Sequence, residues 1–161
     1  MSEIILQVSC ADQTLSMVAG TDMVKKYPIS TALKGVGELI NSEQTPRGWH
    51  VIRAKIGAHC EPNTVFIGRR PTGEYYTPDL KLHHPHRDWI LTRIFWLSGL
   101  EVGKNRLGQC DTMRRYIYIH GTPDDVPLGV PGSKGCIRMH NDDIIQLFEL
   151  VPVGVKVHIS E

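Results

Sequence analysis

The chain has 161 residues, enough for one domain with a sizeable core. Eighteen Lys and Arg stand against 17 Asp and Glu, a formal charge of +1 with no basic or acidic block, which argues against nucleic acid or an anionic membrane as the partner. Fifteen Gly and ten Pro predict many turns and few long helices.

The first residues, MSEIILQVSCADQTLSMV, place Glu3 where a secretory leader carries basic charge, and Gln7 breaks the apolar run. No stretch approaches the roughly 18 apolar residues of a membrane-spanning helix. These features lead us to expect a cytoplasmic chain. Residues 4–8 and 13–18 read as an opening hairpin around CADQ. GWHVIRAKIG (48–57) alternates as a strand entered through TPRG, and TVFIGRRPTGEYY (64–76) reads as a second hairpin with its turn at RPTG. LHHPHRDW groups His83, His84 and His86, but Pro85 and the charged neighbours favour a solvated loop, so no metal is expected.

WILTRIFWLSG (89–99) has the aromatic and branched content of a buried strand. RRYIYIH (114–120) alternates, with Tyr116, Tyr118 and His120 on one face and Ile117 and Ile119 on the other. Asn141 is placed to cap a helix whose first turn holds Asp142 and Asp143 and whose apolar stripe is Ile144, Ile145, Leu147 and Phe148. Pro152 and Gly154 end it, and VKVHI (155–159) closes the chain as a strand. The predicted fold is mainly β, with one or two short helices. Strands this closely spaced leave no room for repeated βαβ crossovers, so a sandwich or partly closed barrel is expected.

Cys10, Cys60, Cys110 and Cys136 form no C-x-x-C pair, and a free cysteine is by default a small buried hydrophobe. Cys136 has a distinctive setting in IHGTPDDVPLGVPGSKGCIRMHN (119–141), where His120 ends one apolar run and the cysteine opens the next. A histidine within hydrogen-bond reach can take the thiol proton and leave a nucleophile. Such an activated thiol is expected to react well below the ordinary thiol pKa of about 8.5. Gly135 would let a carbonyl approach the backbone, and the N–H groups of Gly135 and Cys136 suit a developing oxyanion. Arg138 reaches the same face of an extended segment, and its planar fork suits a carboxylate. Spacing alone leaves the plain alternative open: a buried cysteine and an unrelated histidine.

IHGT followed by SKGCIRMHN resembles the signature of the L,D-transpeptidase (YkuD-type) family, a histidine, a loop, then Ser/Thr-x-Gly-Cys-apolar-Arg. YPISTALKGVGELINSEQTPRGWHVIRAKIG resembles the family's Tyr-Pro-Val-Ser-Thr-Gly and Thr-Pro-x-Gly-x-Phe/Tyr elements, and LVPVGVKVHI its closing helix and strand. Lys134 stands where histidine is frequent, Trp49 and His50 where an apolar or aromatic pair is usual, and residues 79–110 match least. The resemblance implies one catalytic domain over 1–161 that needs no cofactor. Cys136 would be the nucleophile. His120 would be base and then acid, its ring held by the Gly121 carbonyl. Gly135 and Cys136 would supply the oxyanion donors, with Arg138 and Ser133 fixing substrate or loop.

The implied substrates are peptidoglycan stem peptides, attacked between the third residue and D-Ala. Water resolving the thioester makes an L,D-carboxypeptidase. An amine instead makes a cross-link between the third residues of two stems, or exchanges the terminal D-amino acid. The expected cytoplasmic setting favours a carboxypeptidase that trims tetrapeptide muropeptides in peptidoglycan recycling. A periplasmic transpeptidase and a non-catalytic muropeptide-binding module are the alternatives. Acylation of Cys136 by a carbapenem would support an enzyme.

Overall fold

The computed structural model describes residues 3–161. Strands β1 (Ile4–Ser9), β2 (Thr14–Ala19) and β3 (Asp22–Pro28) form an antiparallel meander. The sheet continues from β1 through β10 (Lys156–Ser160) and β4 (Gly48–Ile56) to β7 (Ile90–Gly99), its central and longest strand. One side of β7 pairs with β4 and then with β5 (Thr64–Ile67), which pairs with β6 (Arg70–Tyr75); the other side pairs with β8 (Tyr118–Thr122). Parallel to β8 runs β9 (Ile137–His140).

The sheet then curls back on itself. Ser30, two residues beyond β3, donates to Arg138 O (3.0 Å) and accepts from Arg138 N–H (2.8 Å). This seam makes the molecule a partly closed barrel rather than a sandwich of two separate sheets. Helix α2 (Asn141–Leu150) lays Ile144, Leu147 and Phe148 into a core shared with Leu6, Leu15, Ile52, Phe95, Ile119 and Met139. The pleat of β8 and β9 divides two environments. Ile119, Ile137 and Met139 face that core, while Tyr118 and Cys136 pack on the opposite face with Phe66, Ile94 and Trp96.

Several expectations need correction. The second hairpin turns at Gly68–Arg69, not at RPTG: both residues have positive φ (57° and 64°), as in the two-residue turn whose twist matches the flanking strands. Tyr116 also has a left-handed backbone (φ 56°), so β8 begins only at Tyr118 and Tyr116 does not share the face of Tyr118 and His120. Asn141 is the first helical residue and His140 occupies the cap position; the Asn141 side chain is turned inward.

Strand β3 had no alternation to betray it, since Met23 and Val24 are both exposed. The histidine segment begins with a short helix, α1 (Pro78–His83), capped by Thr77 Oγ1 accepting from Leu80 N–H at 3.1 Å. His83, His84 and His86 are exposed, and no cluster of three or more metal-ligating side chains occurs among the described residues. Among those residues no helix is long and apolar enough to cross a membrane.

Candidate active site

His120 and Arg138 are register partners across the parallel β8–β9 pair, and Cys136 lies two positions before Arg138. Period-two alternation therefore puts the imidazole, the thiol and the guanidinium on one face. His120 is fully buried. Its Nδ1 lies 2.6 Å from Gly121 O, and a carbonyl can only accept, so Nδ1 carries the proton and Nε2 keeps its lone pair. Nε2 is the one buried side-chain polar atom among the described residues without a protein partner. Burial holds the imidazole below its ordinary pKa; Asp88 and the Gly121 carbonyl oppose this, and Arg138 adds to it.

The thiol is held by main chain. Tyr118 N–H donates to Sγ at 3.3 Å, and Sγ–H donates to Tyr116 O at 3.4 Å. Burial pushes the thiol up to about 12; the Tyr118 N–H, Arg138 and Arg115 work against that rise, and Asp88 works with it. Sγ is hydrogen-bonded to these two tyrosine main-chain groups and forms no hydrogen bond to His120 Nε2; the raised thiol and the lowered imidazole are both neutral near pH 7. For the thiol to act as a nucleophile, its proton has to move to Nε2 when an electrophile arrives.

The loop before Cys136 is braced from the other end of the sequence. Gly132 N–H and Ser133 N–H both donate to Thr31 O at 2.9 Å, and Ser30 Oγ donates to Val130 O at 2.8 Å. Thr45 Oγ1, fully buried, accepts from Ala32 N–H and donates to Gly135 O, both at 3.0 Å. Gly135 has φ +128°, a conformation that side chains rarely adopt.

Ser133 Oγ donates to Cys136 O at 2.5 Å and accepts from Gly135 N–H at 3.2 Å. Ser133 therefore fixes the loop, and the Gly135 N–H expected in the oxyanion hole is turned to that hydroxyl. Arg138 donates to Gly132 O (3.2 Å) and pairs with Asp88 (3.3 Å). Gly121 likewise stands where expected, with its carbonyl on His120.

A cleft opens over Arg138, lined by Arg87, Asp88, Trp89, Thr122 and Lys134. A second, lined by Asn41, Arg114, Arg115 and Tyr116, meets the first at Lys134. Sequence reasoning missed Asp88, Thr45 and the two tyrosine main-chain groups. Asp88 lay in the least familiar segment, and main-chain groups leave no signal in residue type.

The YkuD family model, described as the L,D-transpeptidase catalytic domain, matches residues 3–159. A Bacillus licheniformis protein named as the L,D-transpeptidase YkuD is 30% identical over 155 residues, 96% of this chain and 64% of its own. The Salmonella typhimurium protein named as the L,D-transpeptidase ErfK/SrfK is 51% identical over 145 residues, covering 89% of this chain and 39% of its own. The chain thus spans less than two thirds of these relatives. Among solved structures, an L,D-transpeptidase from Mycobacterium smegmatis superposes with a TM-score of 0.57 at 18% identity, covering 99% of this chain and 59% of that one. L,D-transpeptidase 3 from Mycobacterium tuberculosis, in complex with a faropenem-derived adduct, gives 0.59 at 16%, covering 99% and 61%. These two likenesses concern the fold.

Proposed function

Since the chain belongs to the YkuD family of L,D-transpeptidase catalytic domains, we propose that it catalyses cysteine-dependent acyl transfer on peptidoglycan stem peptides. The observation that carries this reading is the unpartnered, buried Nε2 of His120, its tautomer set by Gly121 O, on the same face as Cys136. Cys136 Sγ attacks the carbonyl joining the third residue to D-Ala as Nε2 takes the thiol proton. The C–N bond then breaks, with the same proton passing to the leaving amine, and a thioester remains. Main-chain N–H groups around Gly135 and Cys136 receive the oxyanion once the Gly135 N–H turns from Ser133. Arg138 and Lys134 give the cleft positive charge suited to a stem carboxylate.

The finer reading is hydrolysis, giving an L,D-carboxypeptidase that converts tetrapeptide to tripeptide muropeptides; water needs no built acceptor site. A cytoplasmic setting, with soluble muropeptides as substrates, belongs to the same proposal, and cell fractionation tests it. The second cleft at Arg114, Arg115 and Tyr116 favours an amine acceptor as the alternative. Mass spectrometry of a tetrapeptide muropeptide incubated with the protein, with and without a D-amino acid, separates the outcomes. Loss of D-Ala alone means hydrolysis, and exchange or dimer formation means transfer. No product beyond that of Cys136→Ala would leave a binding module.

A further inference from the structure

The β7–β8 register slips between Leu91, opposite Gly121, and Ile94, opposite His120. Thr92 therefore sits in a bulge, fully buried and with φ +76°. A β-branched residue in the left-handed region is strained, and such strain persists only where the surroundings impose it. What imposes it is a closed polar triangle. Thr92 Oγ1 donates to Asn141 Oδ1 at 2.6 Å and accepts from Asn63 N–H at 3.0 Å, while Asn141 Nδ2 donates to Asn63 Oδ1 at 3.0 Å. Asn63 is itself left-handed (φ 69°).

This triangle lies against the back of Gly121. A methyl group added there would stand 2.4 Å from Asn141 Oδ1, 2.6 Å from Leu91 O and 3.1 Å from Thr92 Cβ. Gly121 is thus pinned from behind, and its carbonyl is the group that holds Nδ1–H of His120.

We propose that Thr92 and Asn141 are positioning residues for His120: the triangle they close with Asn63 holds the Gly121 carbonyl in place and so keeps Nε2 as the free base. Hydrogen-bonded supports of this kind fix a functional ring's orientation and tautomer. Asn141 here does what its place at a helix start conceals, bonding across to a strand bulge instead of capping its own helix.

The inference rests on the base role proposed for His120, but its readout uses no substrate, so the two stand or fall separately. The test is nitrogen-15 NMR of His120 together with the rate of Cys136 alkylation by iodoacetamide, in the wild-type protein, Thr92→Val, Thr92→Ser and Asn63→Gly. Thr92→Val is expected to shift His120 away from the Nδ1–H signature and slow alkylation by about tenfold, the scale of loss seen when a supporting hydrogen bond is removed. Thr92→Ser, which keeps the hydroxyl, should restore both. Asn63→Gly suits the left-handed backbone, keeps the main-chain N–H bonded to Thr92 and removes only the oxygen that accepts from Asn141, so it should move both readouts in the same direction as Thr92→Val. An unchanged His120 signature and alkylation rate in folded Thr92→Val or Asn63→Gly overturns the proposal, whatever happens to thermal stability.

Discussion

Gly121 and Gly135 answer to different constraints, and substitution separates them. At Gly135 an added methyl meets Ile117 Cδ1 at 3.1 Å and the Gln44 carbonyl oxygen at 3.3 Å, both looser than the closest contacts at Gly121, so the cost comes mainly from the +128° φ. Gly135→Ala is expected to cost about 1–3 kcal/mol, the usual range for a non-glycine residue held in such backbone. Gly121→Ala forces a methyl within 2.6 Å of the Leu91 carbonyl, which is backbone of the central strand, and should cost more. Urea denaturation of the two variants gives the order, and the reverse order would contradict it. The neutral resting pair makes a second prediction. With its thiol pushed up to about 12, Cys136 should be alkylated by iodoacetamide faster and faster as pH rises past about 8.5, with no plateau reached at neutral pH. A Cys136 rate, read by peptide mapping, that is already at its plateau at pH 7 would show a resting thiolate and contradict this.

Helix α2 shows what patterning can and cannot convey. Of the predicted stripe of Ile144, Ile145, Leu147 and Phe148, Ile144, Leu147 and Phe148 are buried, since apolar spacing reports burial, while Ile145 at the stripe's edge is only half-buried. Leu147→Ala should cost about 2–5 kcal/mol, read as a lower urea midpoint. The helix's far end was not legible: Lys55 Nζ donates to Phe148 O at 2.5 Å and lies 4.2 Å from the Phe148 ring centroid, a contact 93 residues away in sequence. The same limit governs the rest of the fold. Alternation exposed β4, and aromatic and branched content exposed β7; patterning failed at β3, where Met23 and Val24 are both exposed, and at Tyr116, whose left-handed φ no side-chain pattern announces. His120, Cys136 and Arg138 could be read together because a single loop, residues 123–136, joins two adjacent parallel strands. Asp88, Thr45 and the Thr92 triangle reach the site from separate segments, so only the closed sheet brings them there.

The molecule as a whole carries a pH liability in its buried imidazoles. His50 is fully buried, with Nδ1 3.0 Å from Gly48 O and Nε2 2.9 Å from Thr112 Oγ1, and burial lowers its pKa from 6.5 to about 4. The unfolded chain therefore binds this proton first as pH falls. The contribution to stability is complete above pH 6.5 and is lost toward pH 4, on the order of 3 kcal/mol from His50 alone. His120, also lowered by burial, adds a loss of the same sign. Urea unfolding across this range should show the decline, and His50→Gln should flatten it; an equally steep decline in that variant would assign the effect elsewhere. The two histidines serve different ends, since His50 has partners at both nitrogens and His120 keeps one free. That free nitrogen shares a face with Cys136, and intact-mass and product analysis of a tetrapeptide muropeptide is the sharpest test of the chemistry proposed for the two. D-Ala should be released through a Cys136-bound acyl intermediate, with both absent in Cys136→Ala. Turnover that survives Cys136→Ala, or no turnover by the wild-type protein, would contradict it.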